Sequence, residues 1–127
     1  ALWPYTNLAS PNMTWGQNHI LVHAKMDTPF KVGFPNPRGW LAYRLNGKLF
    51  VKHAKYEAQS SYLDFGSSSE CYCKDEFIEM ETLAPISTIE PGGFSTHVEV
   101  WELYGKVDRP RDEKDVQSLV EKLGLEK

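Results

Sequence analysis

The 127-residue chain has only two cysteines, Cys71 and Cys73. On a β-strand this spacing places both thiols on one face roughly 7 Å apart, too far for an unstrained disulfide. The histidines show no Cys/His ligand spacing that would complete a zinc site; they are His19, His23, His53 and His97. We therefore expect two structural thiols, no metal, no cofactor and a reducing, cytoplasmic location.

Long apolar runs and basic clusters are also missing. No stretch approaches ~18 consecutive apolar residues, and no charged segment precedes an apolar one, so neither a membrane span nor a secretion signal is expected. The net charge is −3 and no basic run exceeds two residues, which argues against nucleic acid as a partner. The start at Ala1 fits methionine removal and a fragment equally well.

What is present is typical of one globular domain. Hydrophobic residues make up 41% and charged residues 24% of the chain. Aromatic residues reach 13% and include four tryptophans. Such an aromatic content suits the core of a pleated sheet, and it also suits a surface on which saccharides stack.

Closely spaced turn signals separate short β-branched and aromatic runs, a pattern typical of an antiparallel all-β domain. The clearest hairpin joins residues 40–45 to residues 48–53 across Asn46-Gly47, because Asn-Gly adopts the positive φ angles that such a turn needs. Further strands are predicted at 20–25, 30–34, 71–74, 76–83 and 96–104.

The hydrophobic period changes near the end of the chain. Val116, Leu119, Val120 and Leu123 follow helical spacing, acidic residues precede them and Gly124 supplies a stop. The sequence therefore predicts an antiparallel β-sandwich over residues 1–107, with one C-terminal helix within 108–127 packing on it as part of a single domain.

Strand 76–83 carries the main candidate for chemistry. Alternation places Glu79 and Glu81 on one face, about 7 Å apart, where mutual repulsion can raise one pKa and produce a general base. The alternative is a solvated sheet face with two ordinary glutamates.

Further candidate ligand contacts come from cations and from one rigid loop. Lys31, Lys52 and His53 could bond a sugar hydroxyl or a carboxylate, or be plain surface, and alternation keeps Lys52 and His53 on opposite faces. The two-proline loop 34–40 presents an amide, a guanidinium and an indole, in Asn36, Arg38 and Trp40. The alternative for this loop is a stiff connection with a core tryptophan.

Three segments resemble the galactose mutarotase (aldose epimerase) family. Residues 79–85 (EMETLAP) are similar to the strand that holds the family's catalytic base, and Glu81 falls on that glutamate. Residues 89–97 (IEPGGFSTH) are similar to its Pro-Gly turn, and residues 4–9 (PYTNLA) to its Tyr-Phe-Asn-Leu segment. In that family a histidine just before the Tyr-Phe-Asn-Leu segment acts as the general acid. In this chain the corresponding position is Trp3, whose indole exchanges no proton near neutral pH. An uncharacterised bacterial mutarotase-like family resembles the chain further, in residues 1–6 (ALWPYT), residues 33–36 (GFPN) and the final strand.

The resemblance implies the C-terminal half of a large two-sheet sandwich, and a half leaves sheet surface uncovered, so we expect a homodimer. It further implies a carbohydrate-binding module for small sugars without standard mutarotase activity. One alternative is a sugar or sugar-acid epimerase, isomerase or lyase that uses Glu81 as base with His23 or His53 as replacement acid. Another is a non-catalytic interaction subunit.

Overall fold

The computed structural model describes residues 1–126, and the predicted division at 108–127 therefore reaches one residue beyond the described part. Within that part the chain is mainly β, as predicted, with antiparallel strands throughout and a C-terminal helix. The strands are β1 (Met13–Trp15), β2 (Ile20–Val22), β3 (Met26–Phe34), β4 (Trp40–Leu45), β5 (Lys48–Ala54), β6 (Ser69–Asp75), β7 (Phe77–Thr82) and β8 (Glu99–Gly105). The helical elements are the short turn α1 (Leu63–Gly66) and the helix α2 (Glu113–Leu123).

One three-stranded sheet has the order β3-β6-β7, and the two-stranded sheet β1-β2 contributes to its core. Phe30 and Cys73 are paired across β3 and β6, and both are buried together with Met13 and Met26. The opposite face of this sheet is polar, because the alternation that buries Phe30 turns Lys31 the other way. The candidate site lies on this polar face.

The other three-stranded sheet has the order β4-β5-β8. Its β4-β5 hairpin turns at Asn46 and Gly47 with φ angles of 47° and 75°, as the Asn-Gly signal predicts. On one face Leu49 and Val51 are buried against Val120 of α2. Helix packing therefore covers one face of this sheet.

Helix α2 is defined by its two ends. The Asp112 side chain accepts a hydrogen bond from the Asp115 backbone N–H at 2.9 Å, and Gly124 ends the helix with a φ of 67°. Because Glu113 lies in the first turn, its carboxylate reaches the turn between β1 and β2, where it accepts from the backbone N–H groups of residues 17, 18 and 19. The helix thus ties the two-stranded sheet to the rest of the molecule.

The remaining face of β4-β5-β8 is open. Leu103 is 71% exposed and Trp101 66% exposed, and Leu45 at the hairpin end is also exposed. Scattered exposed apolar residues are ordinary, whereas a contiguous group marks a binding or docking surface.

Several predicted bounds differ from the structure. Strand β1 was not predicted. Strand β3 begins at Met26, whereas the prediction began at residue 30, because a register irregularity between Met26 and Phe30, next to Pro29, interrupts the alternation of side chains. Strand β8 begins at Glu99 and not at Thr96, because its partner strand β5 ends at Ala54, the residue paired with Glu99. Turn α1 holds Asp64 and Phe65 at positive φ, a conformation that apolar periodicity does not encode.

Candidate functional site

Four residues on the polar face of β3-β6-β7 form what we call the Glu81 cluster: Trp3, Lys31, Glu70 and Glu81. The ammonium of Lys31 lies 2.7 Å from Glu70 Oε2 and 3.1 Å from Glu81 Oε1. The same ammonium lies 4.8 Å from the centre of the Trp3 ring, within cation–π range. Lys31 is therefore the hub on which the other three side chains converge.

Sheet register explains why the two glutamates meet. Glu70 of β6 is paired directly with Glu81 of β7, and Gly33 of β3 lies on the other side of Glu70. Directly opposed antiparallel residues share a face, so two carboxylates are forced together beside a residue with no side chain. Ser67 and the Glu70 side chain fill the space that Gly33 leaves, and Lys31 reaches both carboxylates from two positions along β3.

The N-terminal segment is fixed over this face by Thr6. Its hydroxyl accepts a hydrogen bond from the Lys31 backbone N–H at 3.1 Å and donates one to the Lys31 carbonyl at 2.6 Å. Leu2 forms an isolated bridge to Val32 on the same strand. These contacts with β3 explain why Trp3 lies against Lys31.

The electrostatics of the cluster are set by burial. Glu70 is 1% exposed, and this burial raises the pKa of its carboxyl, against the opposing effect of the Lys31 ammonium. Burial also acts to lower the pKa of Lys31, but hydrogen bonds to Glu70 and Glu81 outweigh it and hold that pKa above its ordinary value. Lys31 therefore stays protonated and is a poor proton donor.

Spare acceptor capacity remains in the cluster. Within residues 1–126, the buried Oε1 atoms of Glu70 and Glu81 have no hydrogen-bond partner. Glu81 Oε1 is close to the Lys31 ammonium but outside hydrogen-bonding geometry, and Lys31 instead donates to Oε2 at 3.2 Å. The Glu81 side chain as a whole is 33% exposed, but this unpartnered oxygen is buried beside Lys31.

The structure brings only some predicted site residues together. Lys31 contacts Glu81 directly, and Glu79 lies on the same face of β7, two residues away and exposed. The loop residues are occupied elsewhere. Asn36 is buried and donates to the Trp40 carbonyl and the Ser69 hydroxyl, while Arg38 contacts His19 at 3.4 Å.

Trp40 packs at the edge of the helix-covered core, and its ring lies 5.9 Å from that of His19. The indole nitrogen of Trp40 has no hydrogen-bond partner within the described part of the chain. The two-proline loop therefore behaves as a stiff connection with a packed tryptophan, which is the alternative that the sequence left open.

Lys52 and His53 lie on opposite faces of β5, as the alternation predicts, and each has a glutamate partner. His53 Nε2 lies 2.7 Å from Glu102 Oε2. Lys52 donates to the Met80 carbonyl at 2.5 Å and lies 3.2 Å from Glu99 Oε1. Lys52 therefore joins the two three-stranded sheets, and His53 is engaged away from Glu81.

Lys52 belongs to a second group, the Glu99 cluster, which consists of Lys52, Thr82, His97, Glu99 and Trp101. The Thr82 hydroxyl donates to Glu99 Oε1, and the Trp101 indole donates to Glu99 Oε2 at 2.9 Å. The Thr82 hydrogen bond is the largest of the effects that lower the pKa of Glu99 to about 2, with Trp101 and Lys52 adding to it against burial. Glu99 is therefore a fixed anion that orients an exposed indole.

Sequence reasoning missed Glu70 and Thr6. Strand β6 was predicted to begin at Cys71, which left Glu70 outside the sheet, whereas the structure begins it at Ser69. Extending the alternation backward from Tyr72 would have placed Glu70 on the polar face. Thr6 gave no signal, because its role depends on a strand 25 residues away.

Two surface cavities lie away from Glu81. One, of about 210 Å³, is lined by residues that include Ser10, Asn12 and Asp27. The other, of about 310 Å³, lies on the open face of β4-β5-β8, beside Tyr43, Phe50 and Leu103. Neither of these cavities is lined by a residue of the Glu81 cluster.

Both cysteines are free thiols. Cys71 and Cys73 form no disulfide, and burial raises the pKa of Cys71 to about 12, so it is not a ready nucleophile. Among residues 1–126 no group of three or more His, Cys, Asp or Glu side chains is arranged to hold a metal ion. No helix in that range is long and apolar enough to cross a membrane.

Comparisons with known proteins add no assignment. No protein-family profile, no curated protein and no solved structure matches this chain.

Proposed function

We propose that this chain is a carbohydrate-binding β domain without mutarotase turnover, whose ligand contacts the Glu81 cluster. The observation that carries the proposal is that the partly exposed Glu81 side chain and the Trp3 ring converge on the same Lys31 ammonium. Carboxylate acceptors, an ammonium donor and an aromatic ring are the groups that hold hydroxyl-rich ligands.

The resemblance to mutarotases supports the location. It implies that the residues at positions 3 and 81 belong to one site, and both are in contact with the same Lys31 ammonium. The same contacts argue against turnover. Glu81 is held as an ion pair, Lys31 keeps its proton, and the Trp3 indole cannot serve as an acid.

A cytoplasmic location belongs to the same proposal. It is supported by the unpaired thiols of Cys71 and Cys73, which are expected in a reducing compartment.

Binding is tested by two-dimensional amide NMR of the protein during titration with neutral monosaccharides and with sugar acids. We expect shifts at residues of β3, β6 and β7, and an affinity about tenfold weaker in Glu81→Gln, because a hydrogen bond to a charged acceptor is lost. Glu90→Gln is the matched control, since Glu90 is an exposed glutamate outside the cluster, on the connection between β7 and β8. If no saccharide shifts these amides, or if Glu81→Gln binds as well as the control, the proposal is wrong.

The proposed lack of mutarotase turnover is tested separately, by polarimetry. Polarimetry of freshly dissolved aldoses should show no acceleration of mutarotation by the protein. An acceleration that Glu81→Gln abolishes would instead establish the epimerase-type alternative with Glu81 as base.

A further inference from the structure

Strand β8 lies at an edge of its sheet and is hydrogen-bonded to β5 on one side only. Natural edge strands are usually shielded by free charges, proline, bulges or a covering element. Strand β8 has no proline or bulge, and exposed apolar residues dominate it: Val100 at 58%, Trp101 at 66% and Leu103 at 71%. Such an edge is suited to pairing with another strand.

Side chains of β5 engage both carboxylates of β8. Glu99 lies 3.2 Å from the Lys52 ammonium, and Glu102 lies 2.7 Å from the His53 ring. Free glutamates would repel a second strand of the same composition, whereas these two are already paired on the neighbouring strand. Both carboxylates are therefore held by β5, and two copies would repel only in a register that sets these carboxylates opposite each other.

We propose that two copies of this chain pair antiparallel through β8, joining two three-stranded sheets into one six-stranded sheet with Trp101 at the two-fold axis. The second copy is the favoured occupant because β8 presents the exposed apolar residues Val100, Trp101 and Leu103 and can pair with itself without opposing its glutamates.

The register follows from alternation. Directly opposed residues of an antiparallel pair lie on the same face, so a two-fold pairing of β8 centres on a residue. Centring on Glu102 would place two glutamates directly opposite each other. Centring on Trp101 opposes the two indoles, places Glu99 opposite Leu103 and places Val100 opposite Glu102, so no glutamate faces another.

The open sheet face extends this contact beyond the two strands. Phe50 supports the Trp101 ring edge-on, with ring centres 5.6 Å apart. Beyond it, the cavity of about 310 Å³ between Tyr43, Leu45 and Leu103 continues the apolar surface. Aromatic pairing across the axis adds to the main-chain hydrogen bonds that the strands form.

Sedimentation velocity over about 10–200 µM protein tests the proposal, because the population of a dimer depends on protomer concentration. We expect a dimer for the unaltered chain and a dissociation constant raised roughly tenfold or more by Trp101→Lys, which places two like charges on the axis. Phe65→Lys, at a side chain that is 95% exposed on α1, is the matched control and should stay dimeric. A monomer throughout this range overturns the proposal.

Two further variants test the register and guard against misfolding of Trp101→Lys. Leu103→Glu places a new carboxylate opposite Glu99 and should dissociate the dimer, whereas Val100→Lys places a cation opposite Glu102 and should leave it intact in low salt. Circular dichroism confirms that each variant is folded. A dimer unaffected by Leu103→Glu, or one dissociated by Val100→Lys, contradicts the Trp101-centred pairing.

Discussion

At the scale of single residues, the decisive group is the ammonium of Lys31. It is the compensating charge within reach of Glu70, whose carboxylate is 1% exposed. Removal of one partner from a buried ion pair leaves an uncompensated charge, which costs far more than the pair itself contributes. The stability of the polar face therefore depends on a residue that also belongs to the proposed ligand site.

We expect Lys31→Met to lower the free energy of unfolding by about 3 kcal/mol at pH 7, measured by urea denaturation. Without Lys31 the pKa of Glu70 rises further, so the folded variant binds a proton more readily than its unfolded chain does. The deficit should shrink as the pH falls toward the unfolded pKa of Glu70, where both states become neutral.

Two variants serve as controls for this measurement. Lys55→Met removes an exposed lysine from a surface ion pair with Glu57 and should change stability by less than about 1 kcal/mol. Lys31→Met combined with Glu70→Leu should recover part of the loss, because neither partner then remains buried alone. A double variant less stable than Lys31→Met would contradict this account.

At the scale of secondary-structure elements, helix α2 does more than cover one sheet. The Glu113 carboxylate accepts hydrogen bonds from the backbone N–H groups of Gln17 at 3.0 Å, Asn18 at 2.6 Å and His19 at 3.0 Å. The bonds from Asn18 and Gln17 are the main causes that hold the pKa of Glu113 below its ordinary value. The turn between β1 and β2 is therefore anchored by a residue more than 90 positions away.

Glu113→Gln should lower the melting temperature at pH 7 and increase amide hydrogen exchange at residues 17–19. A carboxyl with a lowered folded-state pKa contributes stability above its unfolded pKa and loses it as the pH falls through the folded value. The difference from the unaltered protein should therefore fade below about pH 4. Glu121→Gln, on the exposed side of the same helix, is the control. Equal exchange at residues 17–19 in both variants would rule out the anchoring role.

At the scale of the whole molecule, two separate apolar clusters lie in different sheets. One centres on Phe30 and Cys73, and the other on Val51 and Val120. Polar contacts connect the sheets, notably the hydrogen bond from Lys52 to the Met80 carbonyl. Cooperative unfolding then depends on a few side chains and not on a shared core.

We expect Lys52→Met to uncouple the two sheets. Amides of β3 and β6 should then exchange with a different free energy of opening from amides of β5 and β8 in native-state hydrogen exchange. Lys48→Met, on the same face of β5 but exposed, is the control and should leave the protection pattern unchanged. If the two sheets stay equally protected in Lys52→Met, this lysine does not couple them.

Alternation and turn chemistry were sufficient for the fold class, the Asn46-Gly47 hairpin, the capped C-terminal helix and the shared face of Glu79 and Glu81. These features depend on residues close together in the chain, where period and turn propensity act directly. Irregular elements were not predicted, because they do not follow a regular hydrophobic period. The positive-φ turn at Asp64 and Phe65 and the break at Pro29 interrupt the period without leaving a hydrophobic signature.

The sequence by itself determined the mainly β fold class, the central hairpin, the C-terminal helix and which side chains of a predicted strand share a face. Only the tertiary structure decided that the Lys31 ammonium contacts Glu70, Glu81 and the Trp3 ring. It also decided that Asn36 bonds the Trp40 carbonyl within the loop instead of facing a ligand, and that β8 keeps an open edge. The physical reason is that strand order and register bring distant residues together through pairing across the sheet, and a local period carries no information about which strands become neighbours.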